Sequence, residues 1–250
     1  MRVKDKLYVK GLIQQVFNRL GYHVKRLNKG VDLSDAHSEI RRLLSQTANT
    51  IFDVGANVGR TAKLYHDTFP QAKIYAFEPM DIHYFKLKKV SSSRKNILPY
   101  KVGVSNINGQ KIFYETALSD SSSLFKPLHT GAQFDEFHEL KKENKINLIT
   151  IDTFANENNI NKIDLLKIDI QGGELDALRG ATSLLNGKKI KVIYTEIQFF
   201  QLYEKAPLFH NIVMFLENFG YELHNIYDLN YNQNGKLAWG DAIFIPKADY

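Results

Sequence analysis

Strand-like apolar runs alternate with helical patterns along most of this chain, and this alternation constrains the fold more than any other feature. The runs begin with TIFDVGA at Thr50 and continue with KIYAFEP, NILPYKVGVS, IDLLKIDI and KIKVIYTEI. Strands that are apolar on both faces and alternate with helices lie in parallel sheets covered on both sides. The sequence therefore predicts an α/β fold with a mostly parallel sheet and helices on both faces.

The end and the middle of the chain follow other patterns. YELHNIYDLN and GDAIFIP are joined by a short connection with an Asn-Gly turn signal, which predicts an antiparallel C-terminal hairpin. The run NINGQKIFYET predicts a small hairpin, and the stretch from SDSSSLF to EFHELKKENK predicts a loop with one helix. A single helix is predicted from Glu174 to Leu185.

The N-terminal segment is basic and amphipathic. Residues 1–30 contain eight lysines and arginines against one aspartate, a net charge of +7, whereas the whole chain carries +6. The remainder is nearly neutral, which argues against a long basic groove, so no nucleic-acid partner is expected. The helix predicted at residues 9–20 fits two roles, packing on the core or a second copy as a homodimer, and peripheral contact with an anionic membrane. With another helix at 34–46, residues 1–46 form a predicted N-terminal helical extension, and residues 47–250 the main domain.

The chain contains no cysteine, which excludes disulfides, thiolate nucleophiles and cysteine-ligated metal sites. No apolar run reaches the length of a membrane span, and the N-terminus lacks a signal-peptide pattern. We therefore expect a cytoplasmic protein, with the inner membrane surface as the place where the N-terminal helix would meet a bilayer.

A glycine turn, DVGANVG, follows the first predicted strand. Gly55 and Gly59 are four residues apart, Asp53 precedes them, and Asn57 is placed to cap the next helix. The spacing fits neither a dinucleotide fingerprint nor a P-loop. Ligands of open parallel sheets bind beyond the carboxyl ends of the strands, so the turn is a candidate binding site.

Glu78 ends the next strand-like run, 23 residues after Gly55. An acid at this place can accept hydrogen bonds from both hydroxyls of a ribose. S-Adenosylmethionine fits the pattern, because its amino-acid part needs an acid and backbone groups and its ribose needs the second acid. The alternative is an architectural turn in which Asp53 serves only as a cap.

Further acids follow two later strands. Asp169 ends IDLLKIDI before a Gly172-Gly173 turn, and Glu196 ends the next strand. Both carboxylates should face the same crevice as the glycine turn, because parallel strands end at one edge of the sheet.

The motifs FDVGANVG, AFEP, IDLLKIDIQGGELDALRGA with YTEI, and GDAIFI together resemble the FkbM-type S-adenosylmethionine-dependent methyltransferases. The resemblance covers about residues 50–246. It implies a seven-stranded Rossmann-like methyltransferase sheet and O-methylation, with hydroxyls of sugars, glycans, glycosylated small molecules or polyketides as acceptors. The chain has Gln171 where many members have glutamate, which puts in doubt any role that needs a carboxylate there.

The resemblance also implies cofactor-binding roles at the ends of the first three strands. The residues concerned are Asp53, Gly55, Asn57 and Gly59 around the methionine part and ribose, Glu78 at the ribose hydroxyls, and Ser105, after the third strand, near the adenine. The serines at 121–123 have two interpretations, a segment that closes over the cofactor and a solvated loop, and we favour the second.

A sugar hydroxyl needs a base, or a metal that lowers its pKa, before it accepts a methyl group. Asp169 is the first candidate for the base, Glu196 the second and Asp241 the third. Asp169 and Glu196 together could instead hold Mg²⁺, or bind sugar hydroxyls directly. Trp239 is the candidate for stacking on a sugar, and Lys167, inside a buried strand, is expected to pair with an acid.

Two other functions stay open. Methylation of nucleic acid or protein is disfavoured, since DIQGGE stands where a base methyltransferase would carry an Asn/Asp-Pro-Pro-aromatic loop. A non-catalytic cofactor-binding protein would bind S-adenosylmethionine without turnover. His129 and His138 lie where a base on the substrate side could be placed. The histidines expected to be structural are His66, His83, His210 and His224.

Overall fold

A computed structural model describes residues 35–128 and 139–248. The helices are α1 (Ala36–Leu43), α2 (Arg60–Thr68), α3 (Asp81–Ser91), α4 (Ile151–Glu157), α5 (Glu174–Arg179), α6 (Thr182–Asn186) and α7 (Phe209–Glu217). The strands are β1 (Thr50–Val54), β2 (Lys73–Phe77), β3 (Ile97–Tyr100), β4 (Gly103–Val104), β5 (Gly109–Thr116), β6 (Leu140–Ile149), β7 (Ile163–Ile168), β8 (Ile190–Gln198), β9 (Tyr221–Tyr231) and β10 (Leu237–Pro246). The helix predicted at 9–20, His129 and His138 lie outside the described residues. Within the described ranges, no helix has both the length and the apolar composition needed to cross a membrane.

Seven strands form the main sheet in the order β3-β2-β1-β7-β8-β10-β9. The first five strands in this order run parallel to one another, and β10 is antiparallel to both of its neighbours. The predicted mostly parallel sheet with an antiparallel C-terminal hairpin is therefore confirmed. The strand order reverses at β1, between β2 and β7, and such a reversal opens a crevice at the carboxyl ends of the strands.

Helices cover both faces of this sheet, as predicted. Adjacent residues of one strand belong to different hydrophobic clusters, because side chains alternate across a sheet. Phe52 packs in the cluster that contains Phe154 of α4, whereas Ile51 packs in the cluster that contains Ala62 of α2. Ile40 of α1, a helix within the predicted extension 1–46, is buried in the second cluster.

The middle of the chain differs from the sequence-based prediction. The strands β4, β6 and β5 form a second sheet, in which β5 pairs antiparallel with β6 between Leu140 and Leu148. The segment LKKENKINLI is therefore a strand, and the hairpin predicted within NINGQKIFYET is wrong. Cross-strand pairing with β5 outweighs the weak strand propensity of its lysines and glutamate.

Two predicted elements are divided in the structure. The run NILPYKVGVS splits into β3, which joins the main sheet, and β4, which pairs with β6. The helix predicted from Glu174 to Leu185 is instead α5 and α6, with Gly180 between them. A Cβ atom on Gly180 would lie 2.3 Å from the carbonyl oxygen of Ser105, so only glycine allows this close backbone approach.

Candidate functional site

A cavity of about 420 Å³ lies at the carboxyl ends of β1, β2 and β7, where the strand order reverses. Its walls are formed by the turn after β1 (55–58), the start of α2 (Arg60 and Thr61), the end of β2 with α3 (78–80, His83 and Lys86), Phe113 of β5, the segment around the 3₁₀ turn Ser119–Ser121 (Ser119, Asp120 and Ser122), and the end of β7 (Lys167 and 169–171). The volume is within the range of small-molecule sites.

Gly55 brings the turn after β1 against the end of β7. Its φ is +76°, and a Cβ atom there would lie 1.9 Å from the carbonyl oxygen of Asp169. Gly59 has a φ of +84° and precedes α2, but it packs toward Leu87 rather than lining the cavity. The two glycines therefore have different functions, a close backbone approach and a helix start.

Replacing Gly55 by alanine should destabilise the protein more than the same replacement at another glycine with a similar positive φ. Gly235 is a matched control, because its φ is +72° and a Cβ atom added to it would have no heavy atom within 4 Å. We expect Gly235→Ala to lower the free energy of unfolding by about 1 kcal/mol, and Gly55→Ala by about 3 kcal/mol or more. Urea denaturation would measure both, and equal midpoints for the two variants would contradict the close approach.

Asn57 connects the turn to the opposite walls. Its backbone N–H donates to Glu78 Oε2 at 2.9 Å, and its side-chain amide donates to Asp120 Oδ1 at 2.9 Å. The expected cap on the next helix is wrong, because Gly59 precedes α2 and no side chain caps that helix. The side chain of Asn57 instead holds the 3₁₀ turn at the mouth of the cavity.

Glu78 is 5% exposed and lines the cavity. Its carboxylate accepts hydrogen bonds from the backbone N–H groups of Asn57 at 2.9 Å and Met80 at 2.8 Å. Burial raises its pKa to about 7, against the lowering effect of these two bonds. Each carboxylate oxygen accepts one bond and retains capacity for another, so the group is oriented to receive two more donors.

Asp53 lies beneath the turn and is wholly buried. Lys167 Nζ is 3.2 Å from Asp53 Oδ1 and 3.7 Å from Asp169 Oδ2, and it donates to the carbonyl oxygen of Gly55 at 2.9 Å. Burial raises the pKa of Asp53, and the positive charge of Lys167 opposes that rise. The predicted pairing of Lys167 is confirmed, and it is Lys167 rather than Asp53 that reaches the cavity wall.

The three candidate catalytic acids lie together at the end of β7 and on the adjacent strands. Asp169 lines the cavity with 47% of its side chain exposed. Glu196 and Asp241 are directly paired across β8 and β10, behind the cavity wall. Burial raises the pKa of Glu196 well above its ordinary value, and nearby Asp169 raises it further. Burial also raises the pKa of Asp241 to about 6, while a hydrogen bond from the Tyr194 hydroxyl at 2.9 Å lowers it.

Gln171 connects two of these acids. Its side-chain amide donates to Asp169 Oδ1 at 3.1 Å and to both carboxylate oxygens of Glu196 at 3.2 Å. Glu174, the first residue of α5, bends back to accept hydrogen bonds from the backbone N–H groups of Ile170 and Gly172. Across residues 35–128 and 139–248, no group of three or more His, Cys, Asp or Glu side chains is arranged to hold a metal ion.

Two further predicted site residues, besides Asp53, Gly59, Glu196 and Asp241, lie apart from the cavity lining. Ser105 is wholly buried and follows β4 rather than the third strand of the main sheet. Trp239 packs on a cluster that includes Leu202 and Ala238. The solvated loop favoured for residues 121–123 is wrong, because all three serines are buried.

Sequence reasoning missed several residues of the cavity, of which His83 is the most informative. The sequence predicts a structural role for it, but it lines the cavity, with Nε2 3.0 Å from the Ser119 hydroxyl and Nδ1 3.9 Å from Glu78 Oε1. Burial lowers its pKa. Its place in the first turn of a helix that follows a strand end was a usable signal, whereas no pattern marked Ser119 or Asp120.

Comparison with known proteins gives one family and several distant relatives. The family model described as methyltransferase FkbM domain matches residues 53–223. The 2-O-methyltransferase NoeI of Sinorhizobium fredii is 26% identical over 214 residues, which cover 79% of this chain and 84% of NoeI. The hexuronic acid methyltransferase AglP of Haloferax volcanii is 23% identical over 167 residues, which cover 65% of this chain and 63% of AglP. Among solved structures, a human methyltransferase 10 domain containing protein is similar with a TM-score of 0.46 and 14% identity, over 100% of both chains.

Proposed function

Because the chain belongs to the methyltransferase FkbM domain family, we propose that it transfers a methyl group from S-adenosylmethionine to a hydroxyl of a sugar, in a glycan or glycosylated small molecule. The family match covers more than half of the chain, so the resemblance seen in the motifs is confirmed. The name of NoeI supports transfer to oxygen, and the name of AglP supports a sugar acceptor.

The observation that carries this proposal is the placement of Glu78 and Asp169 on walls of one cavity, with the glycine turn between them. The oriented carboxylate of Glu78 suits two neighbouring ribose hydroxyls, because each of its oxygens retains capacity for one more hydrogen bond. At Gly55 the backbone lies close to the carbonyl oxygen of Asp169, and Lys167 donates a hydrogen bond to the carbonyl oxygen of Gly55. This arrangement suits the amino-acid end of the cofactor. The residues present therefore fit S-adenosylmethionine.

Bound S-adenosylmethionine supplies an electrophilic methyl group, which an acceptor oxygen takes by in-line displacement. Asp169 is the base in this proposal, since it alone of the three candidate acids lines the cavity and is half-exposed. It removes the hydroxyl proton as the carbon–oxygen bond forms. Glu196 and Asp241 lie behind it and act on the acceptor only through their neighbours.

Mg²⁺ stays a prediction of the sequence and needs its own test. Asp169 and Glu196 provide two carboxylates, and the amide of Gln171 lies between them. An assay with Mg²⁺ and with a chelator would distinguish metal-assisted transfer from transfer that depends on the carboxylate alone. The cytoplasmic location and contact of the N-terminal segment with a membrane or second copy also stay predictions.

Calorimetric titration with S-adenosylmethionine and S-adenosylhomocysteine tests the cofactor first. Protein freed of copurified ligand should bind both, and an absence of binding would overturn the proposal. The acceptor would then be identified by assaying a panel of neutral sugars, uronic acids and their glycosides, with methylated products detected by mass spectrometry. Cofactor binding without turnover on any hydroxylated acceptor would favour the non-catalytic alternative.

The affinity for S-adenosylmethionine should depend on pH through Glu78. Because its pKa is about 7 in the free protein, the carboxylate that accepts the ribose hydroxyls is present above that pH and is lost below it. We expect the association constant to fall by about tenfold for each pH unit below this value and to be flat above it. Burial lowers the pKa of neighbouring His83, so its protonation is shifted to lower pH than that of an ordinary histidine. Titrations between pH 5.5 and 8.5 would measure the effect, and Glu78→Gln should remove the dependence.

A further inference from the structure

Gln171 occupies an unusual backbone conformation at the base of the cavity. Its φ is +59°, in the left-handed region that residues other than glycine rarely adopt. Two contacts hold it there. The Ser123 hydroxyl donates to its carbonyl oxygen at 2.6 Å, and the Tyr203 hydroxyl lies 3.0 Å from its side-chain oxygen. The Ser123 contact holds the backbone of the turn. In the side chain, the oxygen faces the Tyr203 hydroxyl, which also contacts the carbonyl oxygen of Ser121 at 2.8 Å, and the nitrogen faces the acids.

The side-chain nitrogen lies between the carboxyl groups of Asp169 and Glu196. It is 3.1 Å from Asp169 Oδ1 and 3.2 Å from each carboxylate oxygen of Glu196. A side-chain amide has two N–H donors, so it can donate to both groups at once. A divalent cation between two carboxylates performs the same task with charge, at metal–oxygen distances of about 2.1 Å for Mg²⁺.

We infer that Gln171 is a positioning residue that takes the place of a divalent cation between Asp169 and Glu196. The inference rests on the proposed function, since Asp169 is the base there. The amide fixes the Asp169 carboxylate toward the cavity and satisfies Glu196 behind it. On this inference the Mg²⁺ expected from the sequence is not needed for transfer, because the neutral donor of Gln171 takes its place.

The chemistry of position 171 then predicts how substitutions behave. Gln171→Met keeps the approximate length of the side chain and removes both donors, so Asp169 loses its fixed direction. Gln171→Glu replaces the donors by a third carboxylate beside Asp169 and Glu196. Three carboxylates at one point suit a hard cation, so this variant should gain a binding site for Mn²⁺ or Mg²⁺.

The test combines Mn²⁺ binding, followed by electron paramagnetic resonance, with kcat and the dissociation constant of S-adenosylmethionine. The wild-type protein should bind no Mn²⁺ at this site and keep its kcat in a chelator. Gln171→Met should lose kcat by about 10- to 100-fold with cofactor affinity unchanged within about twofold. Gln171→Glu should bind Mn²⁺, show a low kcat in a chelator and recover activity when Mn²⁺ is added.

Gln198 provides the matched control. It is another buried glutamine, two residues beyond Glu196 on β8, and its side-chain amide has no hydrogen-bond partner in the part of the chain that the structure describes. Gln198→Met should leave kcat unchanged within about twofold, because no carboxylate depends on that amide.

The outcomes separate this inference from the proposed function. Absent cofactor binding by the wild type would overturn the function. Loss of wild-type kcat in a chelator, full kcat in Gln171→Met, or absence of Mn²⁺ binding by folded Gln171→Glu would overturn the inference. The Mn²⁺ measurement needs no acceptor, so it decides the matter even before the acceptor is known.

Discussion

Replacing Glu78 by alanine should reduce the affinity for S-adenosylmethionine on the order of 100-fold while the protein stays folded. The expected loss is about 3 kcal/mol, since hydrogen bonds to a charged group are worth about 1.5 to 3 kcal/mol each and two ribose hydroxyls would lose their acceptor. Glu78 is also the acceptor for the backbone N–H groups of Asn57 and Met80, so the variant should be somewhat less stable. Calorimetry would measure the affinity and circular dichroism the fold.

Asp164 offers a control of the same kind at the opposite end of the sheet. It is a buried carboxylate that accepts hydrogen bonds from two backbone N–H groups, those of Asn49 at 2.8 Å and Thr50 at 3.1 Å. Asp164→Asn should lower the free energy of unfolding but leave the cofactor affinity unchanged. If both variants lose affinity equally, the effect of Glu78→Ala comes from damage to the fold, and the ribose assignment fails.

Replacing Asp169 by asparagine should lower kcat by about 10²- to 10⁴-fold, the usual contribution of a positioned general base. Asparagine keeps the size of the side chain and cannot take the proton of the acceptor hydroxyl. The cofactor affinity should change by less than about fivefold, because the assigned ribose acceptor is Glu78. Single-turnover measurements with the best acceptor of the panel would separate the chemical step from binding.

Asp120 is the appropriate comparison for that variant. It is an exposed carboxylate that lines the same cavity, but it lies at the mouth and accepts a hydrogen bond from the side chain of Asn57. Asp120→Asn should alter kcat by less than about tenfold. A kcat for Asp169→Asn within tenfold of the wild type would exclude it as the base and direct attention to Glu196.

The parts of the site that the sequence predicted are those that follow from strand ends. Glu78 and Asp169 each stand where an apolar run ends, and parallel strands that end together place their last residues at one edge. The C-terminal hairpin was also predictable, because its Asn-Gly turn signal is local and involves only a few residues. Lys167 was predictable as a paired residue, since a lone charge inside a buried strand is costly.

The parts that the sequence did not predict depend on contacts between distant segments. Gln171 was marked as a departure from a family pattern, but its contact with Glu196 requires the register of two strands that are 25 residues apart at this point. The second sheet was missed because β5 and β6 can be recognised as strands only from their pairing with each other. Taken alone, the lysine-rich sequence of β6 is typical of an exposed helix or loop. His83 was missed because it is one of several histidines in helical patterns, and its place in the first turn of a helix after a strand end was not used to distinguish it.

The interior position of β1, between β2 and β7, has a consequence for synthesis of the protein. Its neighbour β2 follows soon after it, but the residue of β7 that pairs with Ile51 is Leu165, which the ribosome adds 114 residues later. At about 5–20 residues per second, one edge of the nascent sheet stays open for roughly 6 to 23 seconds. An unpaired apolar edge invites association with other chains, so we expect newly made protein to be most prone to aggregation during that interval. The reversal of strand order that creates the crevice is therefore also the reason why this chain is most vulnerable before its second half exists.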